Sequence, residues 1–285
     1  MSRAISCEIS CEKNTLATPV NTSQSSKSGC SDPSYQFIVI TACEKRREDV
    51  KKQFNALERQ LNIHYLDAST PQNSESYFGS DLEDISQRKI MCCCRSHMRA
   101  MDYSRKSKYR YSIIVEDDVC FLKDGFIEAI EGILDNWDEC AKIQPGGNRR
   151  RLLVSIGWIP TRNYSYFTDI CRKEKTHPPV DVFPVLASGT QAYIIRDVPY
   201  DLNFDTYRDY MEYIRNNCLT KDYTESECRI ADVVLTGGLF NQMIAFPPLV
   251  IESGEPSLLG HQQESYWDTY FEGFESERNR YLLES

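Results

Sequence analysis

The sequence predicts an α/β fold: one domain with a Rossmann-type mixed, mainly parallel sheet flanked by helices. Three observations predict it. "YQFIVIT" (35–41) is a short apolar run rich in β-branched residues, the composition of a strand buried on both faces. Val50, Phe54, Leu57 and Leu61 then recur at helical spacing with Lys, Arg, Glu and Gln between them, and "IHYLDA" (63–68) reads as a second strand. The chain therefore opens with a β-α-β unit and its right-handed crossover. Finally, "YSIIVEDDVCF" (111–121) drives an apolar strand into three consecutive carboxylates, Glu116, Asp117 and Asp118. In an open α/β sheet such a strand end is where ligands bind.

The other elements follow in order. Residues 1–34 are dominated by Ser, Thr, Asn, Lys and Glu, so the segment cannot bury enough apolar surface to offset its ordering entropy and is expected to be a disordered tail. The ordered domain is expected over 35–285. After a polar loop over 70–84 comes a helix from about Gln87 to Arg105, and after the acidic strand a helix marked by Phe126, Ile127, Ile130, Ile133, Leu134 and Trp137. "QPGGN" breaks the chain, and "RLLVSIGW", "TQAYIIR" and "PPLVIE" read as further strands. The Tyr-rich stretch from Tyr200 to Tyr223 and the acidic C-terminus carry no clear pattern.

The bulk composition narrows the partners. A net charge of −9 without a long basic stripe argues against nucleic acid and anionic membranes as partners, and favours small or neutral ones. No run approaches the roughly 20 apolar residues that cross a bilayer, and the N-terminus lacks a secretory pattern, so a cytoplasmic protein is expected. Among the twelve cysteines, Cys92, Cys93 and Cys94 are consecutive, which suits free thiols in a reducing compartment better than a disulfide framework. Cys7 and Cys11 have a ligand-like spacing, but no second CxxC or HxxxH pair completes a structural zinc site.

If the backbone stays extended through the acidic triplet, Glu116 and Asp118 project to one side and Asp117 to the other. Two carboxylates on one side make a hard oxygen site for Mg²⁺ or Mn²⁺, whereas the alternative is a solvated acidic loop.

Several stretches in the same order give the chain a resemblance to the family 25 glycosyltransferases. "FIVITACEKRRED" stands where that family has a strand, an Asn-Leu turn and an arginine-bearing helix, and "YLDA" matches its next strand. Cys93, Ser96 and His97 meet its Cys-x-x-Ser-His motif, and "YSIIVEDDVCF" its acidic motif. Gly189, Thr190, Ala192 and Tyr193 meet its Gly-Thr-x-Ala-Tyr strand, and Asp232 in "IADVVL" its later acidic position. Thr41 stands where the family has Asn, and Arg88-Lys89 where it has Gly-Glu.

The resemblance implies a GT-A-like fold, inverting transfer from a UDP-galactose or UDP-glucose donor to a glycan or other hydroxyl acceptor, and a divalent Mn²⁺ or Mg²⁺. Glu116 and Asp118 are the expected metal ligands, with His261 as a C-terminal third ligand or simply a surface histidine. Thr41, Ala42, Arg46, Arg47, Asp67 and Ala68 would line the nucleotide pocket, together with Asp117, Gly189 and Thr190. Arg47 could equally pair with a Glu on its own helix. His97 would contact donor or acceptor, or else be a packed core residue. Asp232 would be the general base that takes the acceptor's proton, or a helix cap.

Other readings are weaker. In a receiver domain the acidic pair follows the first strand, whereas here a β-α-β unit precedes it. A glycosidase needs carboxylates on opposite sides of a sugar ring, which adjacent acids at one strand end cannot provide. A non-catalytic carbohydrate- or nucleotide-binding member of the same fold remains the alternative to the enzyme.

Overall fold

The structure, a computed structural model, describes residues 20–21, 34–143, 152–159, 181–183, 188–196, 198, 201–217, 231, 234–235, 239–246 and 248–253. Its strands are β1 (Val20–Asn21), β2 (Tyr35–Thr41), β3 (Ile63–Asp67), β4 (Tyr111–Glu116), β5 (Val119–Phe121), β6 (Leu152–Ile159), β7 (Asp181–Phe183), β8 (Ser188–Arg196), β9 (Asn241–Phe246) and β10 (Val250–Glu252). They join in one sheet of order β1-β7-β9-β6-β8-β4-β2-β3, with β10 pairing β6 and β5. The helices are α1 (Glu44–Ala56), α2 (Glu75–Phe78), α3 (Ile85–Lys106), α4 (Phe126–Asp135), α5 (Trp137–Ile143) and α6 (Tyr207–Asn217).

The β2-α1-β3 unit forms as the sequence implies, with β2 parallel to both β3 and β4. The sheet is mixed. β8 runs antiparallel to both β4 and β6, while β6 pairs β9 in parallel. This reversal matters for the site, because only an antiparallel neighbour brings its first residues beside the last residue of β4.

Alternation along the strands sorts the side chains onto two faces. Phe37, Val39, Ile113, Val115, Val154 and Ile194 join one core with α1, α4 and α5. Ile38, Ile40, Ile114, Leu153, Tyr193 and Ile195 join the other with α3 and α6. Where β10 crosses β6 the backbones crowd together: a Cβ on Gly157 would lie 3.1 Å from the Val250 Cβ and 3.2 Å from the Ala192 nitrogen. A bulge in β6 between Ser155 and Gly157 accommodates that approach.

Three local differences from the sequence reading have physical reasons. Helix α1 stops at Ala56 and not at Leu61, because the chain reverses through Glu58, whose φ of 51° is left-handed, to enter β3. Leu57 and Leu61 still pack on the first core from outside the helix, which is why the apolar spacing ran past its end. Within the expected disordered tail, Val20 and Asn21 pair antiparallel with Val182 and Asp181; residues 1–19 and 22–33 lie outside the described residues. Strands β7 and β9, which carried no sequence signal strong enough to assign, complete one side of the sheet. Among the described residues, no helix is long and apolar enough to cross a membrane.

Candidate functional site at the carboxyl ends of the parallel strands

Strands β2, β3 and β4 end level with one another: Thr41 stands opposite Asp67, and Ile40 opposite Glu116. The Ala68 N–H donates to the Thr41 carbonyl at 2.8 Å, so the two chains leave the sheet together. A cavity of about 240 Å³ opens at these ends, walled by Ala42, Arg46, Ala68, Lys89, Cys93, His97 and the three acids among others. Since one water in the liquid occupies about 30 Å³, the space suits a group of several heavy atoms better than a lone ion.

The acidic triplet divides between the two faces. Glu116, the last residue of β4, turns toward α3 and β8. His97 Nε2 lies 3.1 Å from its Oε1, and the Thr190 hydroxyl donates to the same oxygen at 2.8 Å. Gly189, at φ 104°, supplies the backbone conformation that precedes Thr190. Burial opposes ionisation of Glu116, but the hydrogen bond and charge of His97, the Thr190 hydroxyl and the Arg46 charge outweigh it and hold the carboxyl below its usual range.

Asp117 and Asp118 turn instead toward α1. The Ala42 N–H donates to Asp117 at 2.5 Å, and Arg46 Nη1 stands 3.5 Å from Asp117 and 3.3 Å from Asp118. All three side chains are less than a tenth exposed. Burial pushes Asp117 above its usual range, with the neighbouring Glu116 charge adding to it, despite the opposing Ala42 and Arg46 contacts.

The expected extended geometry would have put Asp118 beside Glu116. The chain leaves the strand after Glu116, and the Asp118 carbonyl accepts from the Ser253 N–H at 2.8 Å, so its carboxylate falls on the Arg46 side. Gln53 of α1 secures the segment that follows: its amide donates to the Val119 carbonyl at 2.5 Å and accepts from the Phe121 N–H at 2.9 Å.

Of the residues expected around a nucleotide, Ala42, Arg46, Ala68, His97 and Asp117 wall the cavity. Thr41, Arg47 and Asp67 form a brace between β2 and β3: Arg47 donates to the Thr41 hydroxyl at 2.9 Å and pairs with Asp67 and, at 3.5 Å, with Glu44 of its own helix. Thr190 reaches the site through Glu116. Asp232 and His261 lie outside the described residues. His97 is a packed residue, only 1% exposed, that also forms part of the cavity wall, with Nδ1 3.0 Å from the Tyr193 hydroxyl.

Three residues named in the sequence motifs but given no role there also contribute: Lys89, Ser96 and the Cys93 thiol. Ser96 accepts from the Ser69 N–H at 2.9 Å and donates to the Cys92 carbonyl at 2.7 Å, fastening the loop after β3 to α3. Cys93 and His97 lie four apart on α3, hence on one helical face, a spacing that could have paired them. The Cys93 sulfur, a His97 nitrogen and a Glu116 oxygen all lie within 4.8 Å of one another.

No protein-family model matches the chain, and no curated protein matches it. Among solved structures, the chain is similar to a galactosyltransferase, LgtC, crystallised in complex with donor and acceptor sugar analogs. The TM-score is 0.36 and the identity 10%, over 86% of this chain and 100% of that one. At that level the likeness decides nothing about activity or site.

Proposed function

We propose that the chain is a glycosyltransferase of the family 25 type, moving galactose or glucose from a UDP-sugar to a hydroxyl of a glycan or glycoconjugate acceptor, with inversion at the anomeric carbon. The observation that carries this reading is the cavity at the carboxyl ends of β2, β3 and β4, with acids and cations built into its wall. A surface loop that merely solvated three carboxylates would not bury Asp117 and Asp118 against Arg46. The nucleotide lies near Ala42 and Ala68, and its diphosphate is met by Lys89 and Arg46 from the wall. In the transition state the departing phosphate gains negative charge, which fixed cations stabilise. Asp232 takes the acceptor's proton as the new glycosidic oxygen bond forms and the bond to the diphosphate breaks.

The reading includes a divalent cation, Mn²⁺ or Mg²⁺ by resemblance. Of its expected ligands, Glu116 faces the cavity, Asp118 meets Arg46 and would have to leave it, and His261 is outside the described residues. Glu116 would hold such a cation, which would supply further positive charge for the leaving diphosphate. Location in the reducing cytoplasm belongs to the same proposal; among the described residues, Cys43, Cys92, Cys93, Cys94, Cys120 and Cys140 are thiols and not disulfides.

The engagement of Asp117 and Asp118 by Arg46 favours one second reading, a non-catalytic nucleotide-binding member of the fold. Two measurements separate them. Thermal melting with UDP, GDP, CMP and UDP-sugars is expected to show a rise specific to UDP and UDP-sugars, since a ligand at a hundredfold excess over Kd stabilises the folded state by about 2.7 kcal/mol. Hydrolysis or transfer from UDP-galactose or UDP-glucose then separates enzyme from binder: Asp232→Asn keeps the UDP shift and loses turnover if the proposal holds. Absence of any nucleotide shift in folded protein would defeat both readings.

A further inference from the structure

We infer that Cys93, His97 and Glu116 form a three-ligand site for a divalent metal of the zinc class, and that this site discriminates against Mg²⁺ and Mn²⁺. The inference rests on the geometry of these side chains and not on sugar transfer, and where it holds the cation at Glu116 is of the zinc class, in place of the Mn²⁺ or Mg²⁺ that the resemblance implies.

The ligand atoms converge. A thiol sulfur, an imidazole nitrogen and a carboxylate oxygen lie within 4.8 Å of one another, and all three residues wall the cavity. Metal–ligand distances of about 2.0–2.3 Å place the ligand atoms of a tetrahedral site roughly 3–4 Å apart, within that spread. His97 Nε2 and Glu116 Oε1, 3.1 Å apart, therefore need little adjustment to share an ion.

The surrounding groups orient the ligands. The Tyr193 hydroxyl lies 3.0 Å from His97 Nδ1 and can accept a hydrogen bond from its N–H, so that Nε2, hydrogen-bonded to Glu116 without a metal, is the nitrogen that turns its lone pair to the ion once its proton is displaced to solvent. The Thr190 hydroxyl steadies Glu116 from the other side. Three protein ligands beside an open cavity leave a fourth position for water or an incoming ligand, the arrangement of a catalytic and not a structural zinc site.

Ligand softness sets the selectivity. Thiolate and imidazole suit zinc and its neighbours, whereas Mg²⁺ and Mn²⁺ prefer an all-oxygen set. The oxygen ligands that would favour those ions are committed elsewhere, since Asp117 and Asp118 turn to Arg46. On binding, the Cys93 thiol gives up its proton to solvent, and the thiolate sulfur donates its electron pair to the metal.

The test uses Co²⁺ as a spectroscopic probe on the full-length chain freed of metal by a chelator. The expected result is a visible d–d absorption and a near-ultraviolet thiolate-to-cobalt band, with Cys93 accounting for one equivalent of that band. Cys93→Ser abolishes this equivalent, whereas Cys43→Ser leaves it intact; melting of each variant verifies its fold. Tyr193→Phe is expected to weaken Co²⁺ binding about 10- to 100-fold while keeping the band's position. On the wild-type chain, which needs no variant to fold, Zn²⁺ displaces Co²⁺ stoichiometrically, and a large excess of Mg²⁺ or Mn²⁺ does not. A band unchanged in folded Cys93→Ser, no cobalt binding by wild type, or displacement by Mn²⁺ as readily as by Zn²⁺ would each overturn the inference.

Discussion

The two faces of the sheet are built from different materials. The face under α1, α4 and α5 is an apolar cluster rich in aromatics: Phe37 packs edge-on to Phe54 at 5.1 Å, and Phe121 stacks on Phe126 at 4.8 Å. The face under α3 and α6 is lined with Met91, Met98, Met101, Cys92, Cys94 and Tyr193, softer side chains several of which carry a polar handle. The acidic triplet reproduces this division, Asp117 and Asp118 going to a guanidinium on the first side and Glu116 to an imidazole and a thiol on the second. The difference teaches where chemistry can be placed: the aromatic face supplies stiffness, and the Met- and Cys-rich face accommodates groups that bind.

The comparison breaks most visibly in the aromatic core. Phe37→Ala should cost ~3–5 kcal/mol, since Phe37 is fully buried and the cavity left behind cannot collapse among rigid neighbours. Urea unfolding measures it, and a loss below 1 kcal/mol would show that this face is not the stiff one.

Arg46→Met comes next, at ~3 kcal/mol. That lies at the low end for breaking a buried ion pair, because Asp117 and Asp118 can take up protons once Arg46 is gone. The loss should shrink as the pH is lowered, and a pH-independent loss would mean that Arg46 acts through packing.

Gln53→Ala should cost ~1–3 kcal/mol, for it strands the Val119 carbonyl and the Phe121 N–H without their partner. Hydrogen exchange at Phe121 should accelerate selectively. Uniform acceleration across the sheet would instead indicate a global effect.

On the opposite face, Met98→Leu should cost less than ~1.5 kcal/mol although Met98 is as buried as Phe37, because the side-chain volume is conserved and its neighbours are adaptable. A larger loss would erase the contrast between the faces.

The smallest effect expected is at Asp102 on α3. Burial opposes its ionisation, but hydrogen bonds and charge from Lys106 and Arg105 outweigh this and hold the carboxyl below its usual range. Its contribution, ~0.5–1 kcal/mol at most for pairs of this kind, is therefore fully present above the unfolded-state pKa near 4 and lost as pH falls through the lower folded value. The difference between wild type and Asp102→Asn should be flat from pH 7 to 5 and vanish in acid. A difference that grew in acid would reverse the assignment.

Much of this architecture was legible from residue spacing. β-branched runs and helical apolar repeats located β2, α1, β3, α3, β4 and α4, because those patterns record which sides of each element are covered. Alternation along β4 also put Glu116 on the face of Ile114, as observed. It failed two residues later at Asp118, where the carbonyl bonds to Ser253, a residue 135 positions away. The same limit applies to α1, whose repeat overran its end into Leu57 and Leu61.

The sequence by itself determined β2, α1, β3, α3, β4, α4 and the acidic strand end, since these follow from local propensity and composition. Only the tertiary structure decided that β8 runs backwards and delivers Thr190 to Glu116, that Arg46 engages two of the three acids, and that Cys93 and His97 meet the third. The physical reason is that partner choice among charged and polar groups is fixed by packing between segments distant in the chain, and no local spacing encodes those distances.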